Sequence, residues 1–269
     1  MTVAEALAGS GIDLLEARLL LVKATGLTRA SLAAYPEQVL DAVAESEFLE
    51  SAKRRRAGEP VAYLLGEREF YGLALNVTPA VLIPRPETEL LVDFALEHLP
   101  TKGTVLDLGT GSGAVALAIK HQKPDAHVTA VEQSPAALAV ARANAHRHRL
   151  DIVLVEGSWF EPLERRRFDL VVSNPPYVAD RDAHLGQGDL RFEPRAALAG
   201  GPDGLDDIRQ IVAFSTVHLN RGGWLALEHG QGQHEEICRL MTEAGLESVS
   251  SRPDLQGIAR ISVGQYNLE

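Results

Sequence analysis

From Thr104 onward the chain alternates short apolar runs with longer helical stretches, and this alternation constrains the fold more than any other feature. Residues 104–108, 128–131, 152–155, 170–172 and 224–227 read as strands. Helices are expected from about Ala114, from about Ser134 and between about Glu235 and Ala244, with weaker strands near Val249 and Ile261. Near-continuous apolar strands separated by helices predict a mostly parallel sheet covered on both faces. Ligands of such sheets bind beyond the carboxyl ends of the strands, so the residues just after each strand carry the functional argument.

The preceding part of the chain has a different pattern. Residues 1–68 are rich in Ala, Leu and Glu, with apolar residues at helical spacing in Leu14, Leu15, Ala17, Leu19, Leu20 and Val22 and again in Val43, Phe48 and Leu49. Gly11-Ile12-Asp13, Gly26-Leu27-Thr28 and Tyr35-Pro36 break the pattern, and Asp13 and Thr28 are suited to cap the helices that follow. A small all-α bundle is expected, and its lack of a catalytic cluster points to substrate or partner binding. Residues 69–87 place strand formers on either side of Gly72 and then Pro79, Pro84 and Pro86, which reads as a β-hairpin and Pro-rich linker. Residues 88–269 form the third segment, the α/β domain.

Composition excludes several classes. No run approaches the roughly 18 apolar residues of a membrane span, and Met1-Thr2-Val3-Ala4-Glu5 has no signal-peptide character. The single cysteine, Cys238, allows no internal disulfide, fits a cytoplasmic protein and is expected in a helix core. A net charge of -11 argues against direct nucleic-acid binding by blanketing of phosphates. Lys53-Arg54-Arg55-Arg56 and Arg165-Arg166-Arg167 are local basic runs, which read as solvated faces. His146 and His148, alternating with Arg147 and Arg149, read as charge at a helix C-terminus, and no metal site is expected.

Asp107-Leu108-Gly109-Thr110-Gly111-Ser112-Gly113 joins the first of these strands to a helix. Its glycines let the backbone turn sharply and approach a ligand closely. Gly109-x-Gly111-x-x-Ala114 also satisfies the dinucleotide fingerprint, so the loop indicates a nucleoside cofactor without deciding which. Glu132 ends the second strand, 19 residues past Gly113, where a carboxylate can accept hydrogen bonds from both ribose hydroxyls of either NAD or S-adenosylmethionine. Asp107 favours the methyl donor: an acid at that strand end can anchor the donor's amino acid part, and an acidic site tolerates a sulfonium better than a pyrophosphate.

Asn174-Pro175-Pro176-Tyr177 directly follows the fourth strand. In an arbitrary loop this would be an extended turn, because proline fixes its own φ and restricts its predecessor. At the end of a strand in the sheet that carries the glycine loop, it offers a neutral amide, exposed carbonyls and an aromatic face. The Asn174 side-chain oxygen and the Pro175 carbonyl can each accept an N–H from a planar –NH2, and Tyr177 can stack on its plane. That arrangement suits methylation of an amino or amide nitrogen, through positioning rather than a charged base. It does not distinguish adenine from glutamine.

The tetrapeptide with the glycine loop resembles amino-methyltransferases acting on DNA adenine, protein glutamine and some RNA bases. Gly58-Glu59-Pro60-Val61-Ala62-Tyr63-Leu64-Leu65-Gly66, Phe70-Tyr71-Gly72, Leu82-Ile83-Pro84-Arg85-Pro86-Glu87-Thr88-Glu89, Phe192-Glu193-Pro194-Arg195-Ala196-Ala197-Leu198 and Gly201-Pro202-Asp203-Gly204-Leu205-Asp206 are similar to segments of the release factor glutamine methyltransferases, the HemK/PrmC family. The match runs from about Gly58 to the C-terminus, while the bundle agrees in length and helical character. The resemblance implies a Rossmann-like class I S-adenosylmethionine-dependent domain with a seven-stranded sheet. It also implies methylation of the N5 amide of the Gly-Gly-Gln glutamine in class 1 release factors, by a cytoplasmic monomer.

By motif, the donor site would comprise Asp107, Gly109, Thr110, Gly111, Ser112, Gly113, Glu132, Trp159 and Asn174, with Trp159 beside the adenine. Asn174, Pro175, Pro176 and Tyr177 would hold the glutamine. Arg85, Glu87 and Arg195 either shape the substrate mouth or form structural ion pairs. Ala259 before Arg260 departs from a proline expected in many relatives, without consequence for the chemistry. The alternatives are glutamine methylation of a ribosomal protein, adenine-N6 methylation of DNA, which would need a basic duplex-binding face, an NAD-dependent enzyme that leaves the tetrapeptide unused, and a pure binding module.

Overall fold

A computed structural model describes residues 1–267 and divides the chain into two compact units. The first comprises Met1–Glu67 together with Gly188–Phe192; the second holds the rest. In the first unit, helices α1 (Val3–Gly9), α2 (Leu14–Thr25), α3 (Arg29–Ala34), α4 (Ala42–Arg56) and α5 (Val61–Leu65) follow one another. Short polar side chains start them. Thr2 forms a capping box with Glu5, Asp13 accepts from Leu15 and Glu16 N–H, and Thr28 accepts from Ser31 N–H.

The core of this unit is Val3, Ala17, Leu20, Leu21, Leu32, Phe48 and Ala52. Four residues of the expected apolar stripes, Leu14, Leu15, Val43 and Leu49, face solvent instead. The basic run at the end of α4 is largely consumed within the unit. Arg54 pairs with Glu59, Arg55 with Glu16 and Asp189, and Arg56 donates to the Ser10 carbonyl.

The second unit, from Arg68, opens with a hairpin of β1 (Glu67–Phe70), whose first residue belongs to the first unit, and β2 (Leu73–Asn76) around Tyr71-Gly72, then helix α6 (Glu89–His98). There follow β3 (Thr104–Leu108), α7 (Ala114–Gln122), β4 (His127–Glu132), α8 (Pro135–His148), β5 (Val153–Glu156), β6 (Phe168–Ser173), α9 (Asp206–His218), β7 (Leu219–Glu228), α10 (His234–Glu243), β8 (Glu247–Pro253) and β9 (Ala259–Gln265). The sheet order is β5-β4-β3-β6-β7-β9-β8, parallel up to β7 and antiparallel at β9 and β8. The expected strands and helices lie at their expected places; α6 and α9 are additional.

One apolar layer packs α6 and α7 against the sheet through Leu91, Phe94, Leu117 and Ile119. The other packs α9 and α10 on the opposite face through Ile208, Ile211, Ile237 and Met241. Cys238 is on α10 as expected but only half-buried, its Sγ 3.4 Å from Ser251 Oγ. Arg166 and Arg167 are engaged by Thr129 and the Leu219 carbonyl. His148, in the last turn of α8, bonds the Ala74 carbonyl.

Candidate active site

Strand register lines up the site. The chain runs from β3 outward through β4 and β5, then returns to build β6 and β7 on the other side, so the order reverses between β3 and β6. Such a switch opens a crevice at the carboxyl ends of the strands. Leu108 pairs with Val131 and Ser173, and Ser173 pairs with Leu227. The next residue on each strand end is therefore Gly109, Glu132, Asn174 and Glu228, a row across four neighbouring strands. Ser173 Oγ donates to the Leu108 carbonyl at 2.7 Å and locks the central pair.

The cleft at this edge has a volume of about 220 Å³. Its wall includes Asp107, Gly109, Thr110, Gly111, Ser112, Glu132, Trp159, Asn174 and Pro176. Gly109, Gly111 and Gly113 adopt left-handed φ values of 69°, 56° and 84°, which glycine accepts without steric cost. The loop is pinned by Gly109 and Thr110 N–H on the Val131 carbonyl and by Gly111 N–H on Glu132 Oε2 at 2.9 Å. Glu132 Oε1 accepts from Ser134 N–H at 2.9 Å. Each carboxylate oxygen retains a second lone pair, so Glu132 can order the loop and still accept hydroxyl donors.

Asp107 is buried beneath the loop, where Thr110 Oγ1 donates to it at 2.5 Å and Ala116 N–H at 3.2 Å. Burial pushes its carboxyl up to about 6, and those two hydrogen bonds oppose the rise. Trp159 has a left-handed φ of 44°, and its indole would lie 3.3 Å from a Cβ placed on Gly109. Asp207, on α9, also lines the cleft; burial raises its carboxyl while a bond from Trp159 lowers it.

The tetrapeptide divides between two environments. Asn174 and Pro176 face the cleft, Pro175 is buried, and Tyr177 is half-buried outside the cleft wall. Asn174 Nδ2 donates to Thr88 Oγ1 at 3.1 Å, and the Tyr177 hydroxyl donates to Glu228 Oε1 at 3.2 Å. The Tyr177 carbonyl accepts from Gln233 Nε2 at 3.0 Å. Gly200 and Gly204 back the segment so closely that a Cβ on either would fall 2.4 Å from the Pro176 carbonyl oxygen or 2.3 Å from that of Tyr177.

Of the residues left between mouth and ion pair, Arg85 is paired with Glu193, whose buried side chain also accepts from Ile83 N–H at 3.0 Å. Arg195 donates to the Asp180 carbonyl at 2.9 Å. Sequence reasoning assigned no role to Thr88, Asp207 or Glu228. Glu228 carried the signal already used for Asp107 and Glu132, an acid at the end of an apolar strand.

A family model of the methyltransferase small domain matches residues 86–190, and one of the PrmC N-terminal domain matches residues 2–66. Release factor glutamine methyltransferases from Burkholderia pseudomallei and Bordetella pertussis are both 49% identical, over 98% and 96% of this chain and 96% and 97% of theirs. The chain belongs to the release factor glutamine methyltransferase family. Solved structures agree in fold. A methyltransferase from Pyrococcus furiosus superposes with a TM-score of 0.59 at 20% identity, covering 81% of this chain and 99% of that one. The catalytic domain of hMettl16 in complex with an RNA hairpin gives 0.62 at 14% identity, covering 83% and 81%.

The family's methyl donor is a cation bearing a ribose, and the cleft fits it. Asp107, Glu132 and Asp207 line the wall, and among the described residues no Lys, Arg or His does so. Such a wall favours a sulfonium and an ammonium over a pyrophosphate.

Proposed function

We propose that this enzyme transfers a methyl group from S-adenosylmethionine to the side-chain amide N5 of the Gly-Gly-Gln glutamine in class 1 release factors. The single observation that carries the reading is the alignment of Gly109, Glu132 and Asn174 along one sheet edge, which sets an acidic donor cleft beside the tetrapeptide. In the donor site, Glu132 would hold the ribose, Asp107 the amino acid part, Gly109, Thr110, Gly111, Ser112 and Gly113 the close backbone wall, and Trp159 the adenine.

The bound donor supplies an already activated methyl. Transfer would move that methyl from the donor's sulfur, which would keep the electron pair and leave as S-adenosylhomocysteine, to the amide nitrogen. The protein must align a nitrogen whose lone pair is delocalised. Asn174 Oδ1 and the Pro175 carbonyl would each accept one N–H of the incoming amide, turning its lone pair toward the methyl, while Pro176 and Tyr177 shape the slot. Such positioning supplies several kcal/mol of barrier lowering, and the methylated nitrogen then releases its proton to solvent.

The helical unit is proposed to bind the release factor. Its exposed Leu14, Leu15, Val39 and Val43 support a docking role. No helix among the described residues is long and apolar enough to cross a membrane, and action on release factors points to the cytoplasm. Asn174→Ala tests the site. Calorimetry should find donor affinity within about threefold of wild type while methylation of purified release factor is lost by roughly 100-fold or more. Full activity in this variant would refute the mechanism.

A further inference from the structure

Gln233, the half-buried residue just before α10, touches the tetrapeptide from outside the cleft wall. Its main chain is a firm mount. Its N–H bonds the Gly230 carbonyl at 3.3 Å, and its carbonyl accepts from Ile237 N–H in the first turn of the helix at 3.1 Å. Its side-chain amide bridges two main-chain groups. Oε1 accepts from Gly230 N–H at 2.8 Å, and Nε2 donates to the Tyr177 carbonyl at 3.0 Å.

Both partners have a fixed polarity: a peptide N–H can only donate and a peptide carbonyl can only accept. One orientation of the Gln233 amide satisfies both, whereas a carboxylate, with no proton to give, satisfies only the first. The fit is close. A Cβ on Gly230 would fall 3.0 Å from Gln233 Oε1 and 3.4 Å from Tyr177 Cδ2, and one on Gly204 would fall 3.0 Å from Gln233 Nε2.

The bond lands where the tetrapeptide can transmit it. Pro175 and Pro176 have no N–H with which to extend the β6 ladder, and their rings fix φ, so the segment is stiff. Its front is held by the pairing of Ser173 with Leu227, and its back by Gln233 on the Tyr177 carbonyl. The Tyr177 hydroxyl on Glu228 fixes the tip of the ring, and Gln233 fixes its root. Resting on the proposed function, we infer that Gln233 is a positioning residue. It anchors the back of the tetrapeptide so that the Pro175 carbonyl and Tyr177 hold the substrate amide in line with the donor methyl.

The test compares wild type, Q233M and Q233E, measuring kcat and KM on purified release factor and donor affinity by calorimetry. Q233M removes the donor to Tyr177 and should lower kcat about 10-fold. Q233E keeps the shape and the acceptor for Gly230 but sets a negative charge against the Tyr177 carbonyl, and should lower kcat roughly 100-fold. Donor affinity and KM should stay within about twofold of wild type, because the interaction acts on alignment in the transition state. A role confined to filling space or closing the loop at Gly230 predicts the reverse order, since Q233E changes the shape least. Wild-type kcat in Q233M, a Q233E faster than Q233M, or losses carried by KM or donor affinity instead of kcat would each overturn the inference. Should Q233E fail to fold by circular dichroism, Q233M alone decides. If wild type itself leaves release factor unmethylated, the proposed function fails, and this inference with it.

Discussion

Glu228→Gln should make the protein more stable above neutral pH. The Glu228 carboxyl titrates at about 7 in the fold against an ordinary 4.5, so between those values the folded state binds a proton that the unfolded state has released. Stability from this group is complete below pH 4.5 and is lost as pH rises through about 7. At about 1.4 kcal/mol per pH unit, the gap amounts to roughly 3 kcal/mol of burial cost at pH 8. Glutamine has nearly the same volume, and its oxygen can still accept from Tyr177.

Its NH2 would take the place of the buried, unpartnered Oε2, so the net gain should be about 1–3 kcal/mol, or roughly 3–10 °C in melting temperature. Urea denaturation of wild type and variant at pH 8 and pH 5 measures it. The gain should be present at pH 8 and mostly gone by pH 5, where wild-type Glu228 already carries its proton. A variant less stable than wild type at pH 8, or equally stabilised at both pH values, would refute the argument that charge burial at this position is costly.

Donor affinity should rise with pH up to about 6 and then level off as Asp107 becomes anionic, and Asp107→Asn should abolish that rise in calorimetry between pH 5 and 8. Arg85→Ala should cost about 1–3 kcal/mol in urea denaturation, because it strands the buried Glu193 carboxylate. Adding Glu193→Gln should recover much of the loss. Gly204→Ala should lower both stability and turnover: its φ is 79° and the added Cβ would meet the Tyr177 carbonyl oxygen. Gly232→Ala, with a φ of 83° but nothing within 4 Å, should cost only the backbone strain of about 1 kcal/mol.

The sheet and the donor cleft were legible because their signals are local. Residues 104–108 announce a buried strand by composition, and the glycines after it need left-handed φ values that few other residues tolerate. Helices α6 and α9 escaped for the opposite reason: α6 begins two residues after Pro84-Arg85-Pro86, and α9 emerges from the glycine-rich stretch ending at Gly204, so both starts look like linker. Leu14, Leu15, Val43 and Leu49 misled because leucine and valine occur on both faces of short helices, and spacing alone does not say which face is covered. Thr88 and Glu228 were unreadable as partners of the tetrapeptide. Thr88 is 86 positions from Asn174 and Glu228 is 51 from Tyr177; the register of β6 on β7 brings Glu228 to the tetrapeptide, and the turn before α6 brings Thr88.

The central claim is tested most directly by incubating the protein with labelled S-adenosylmethionine and either purified class 1 release factor or duplex DNA, then locating the label by mass spectrometry. One methyl group on the side-chain amide of the Gly-Gly-Gln glutamine, with none on DNA, is the expected result. Label on adenine, or on the release factor at any other residue, would contradict the account.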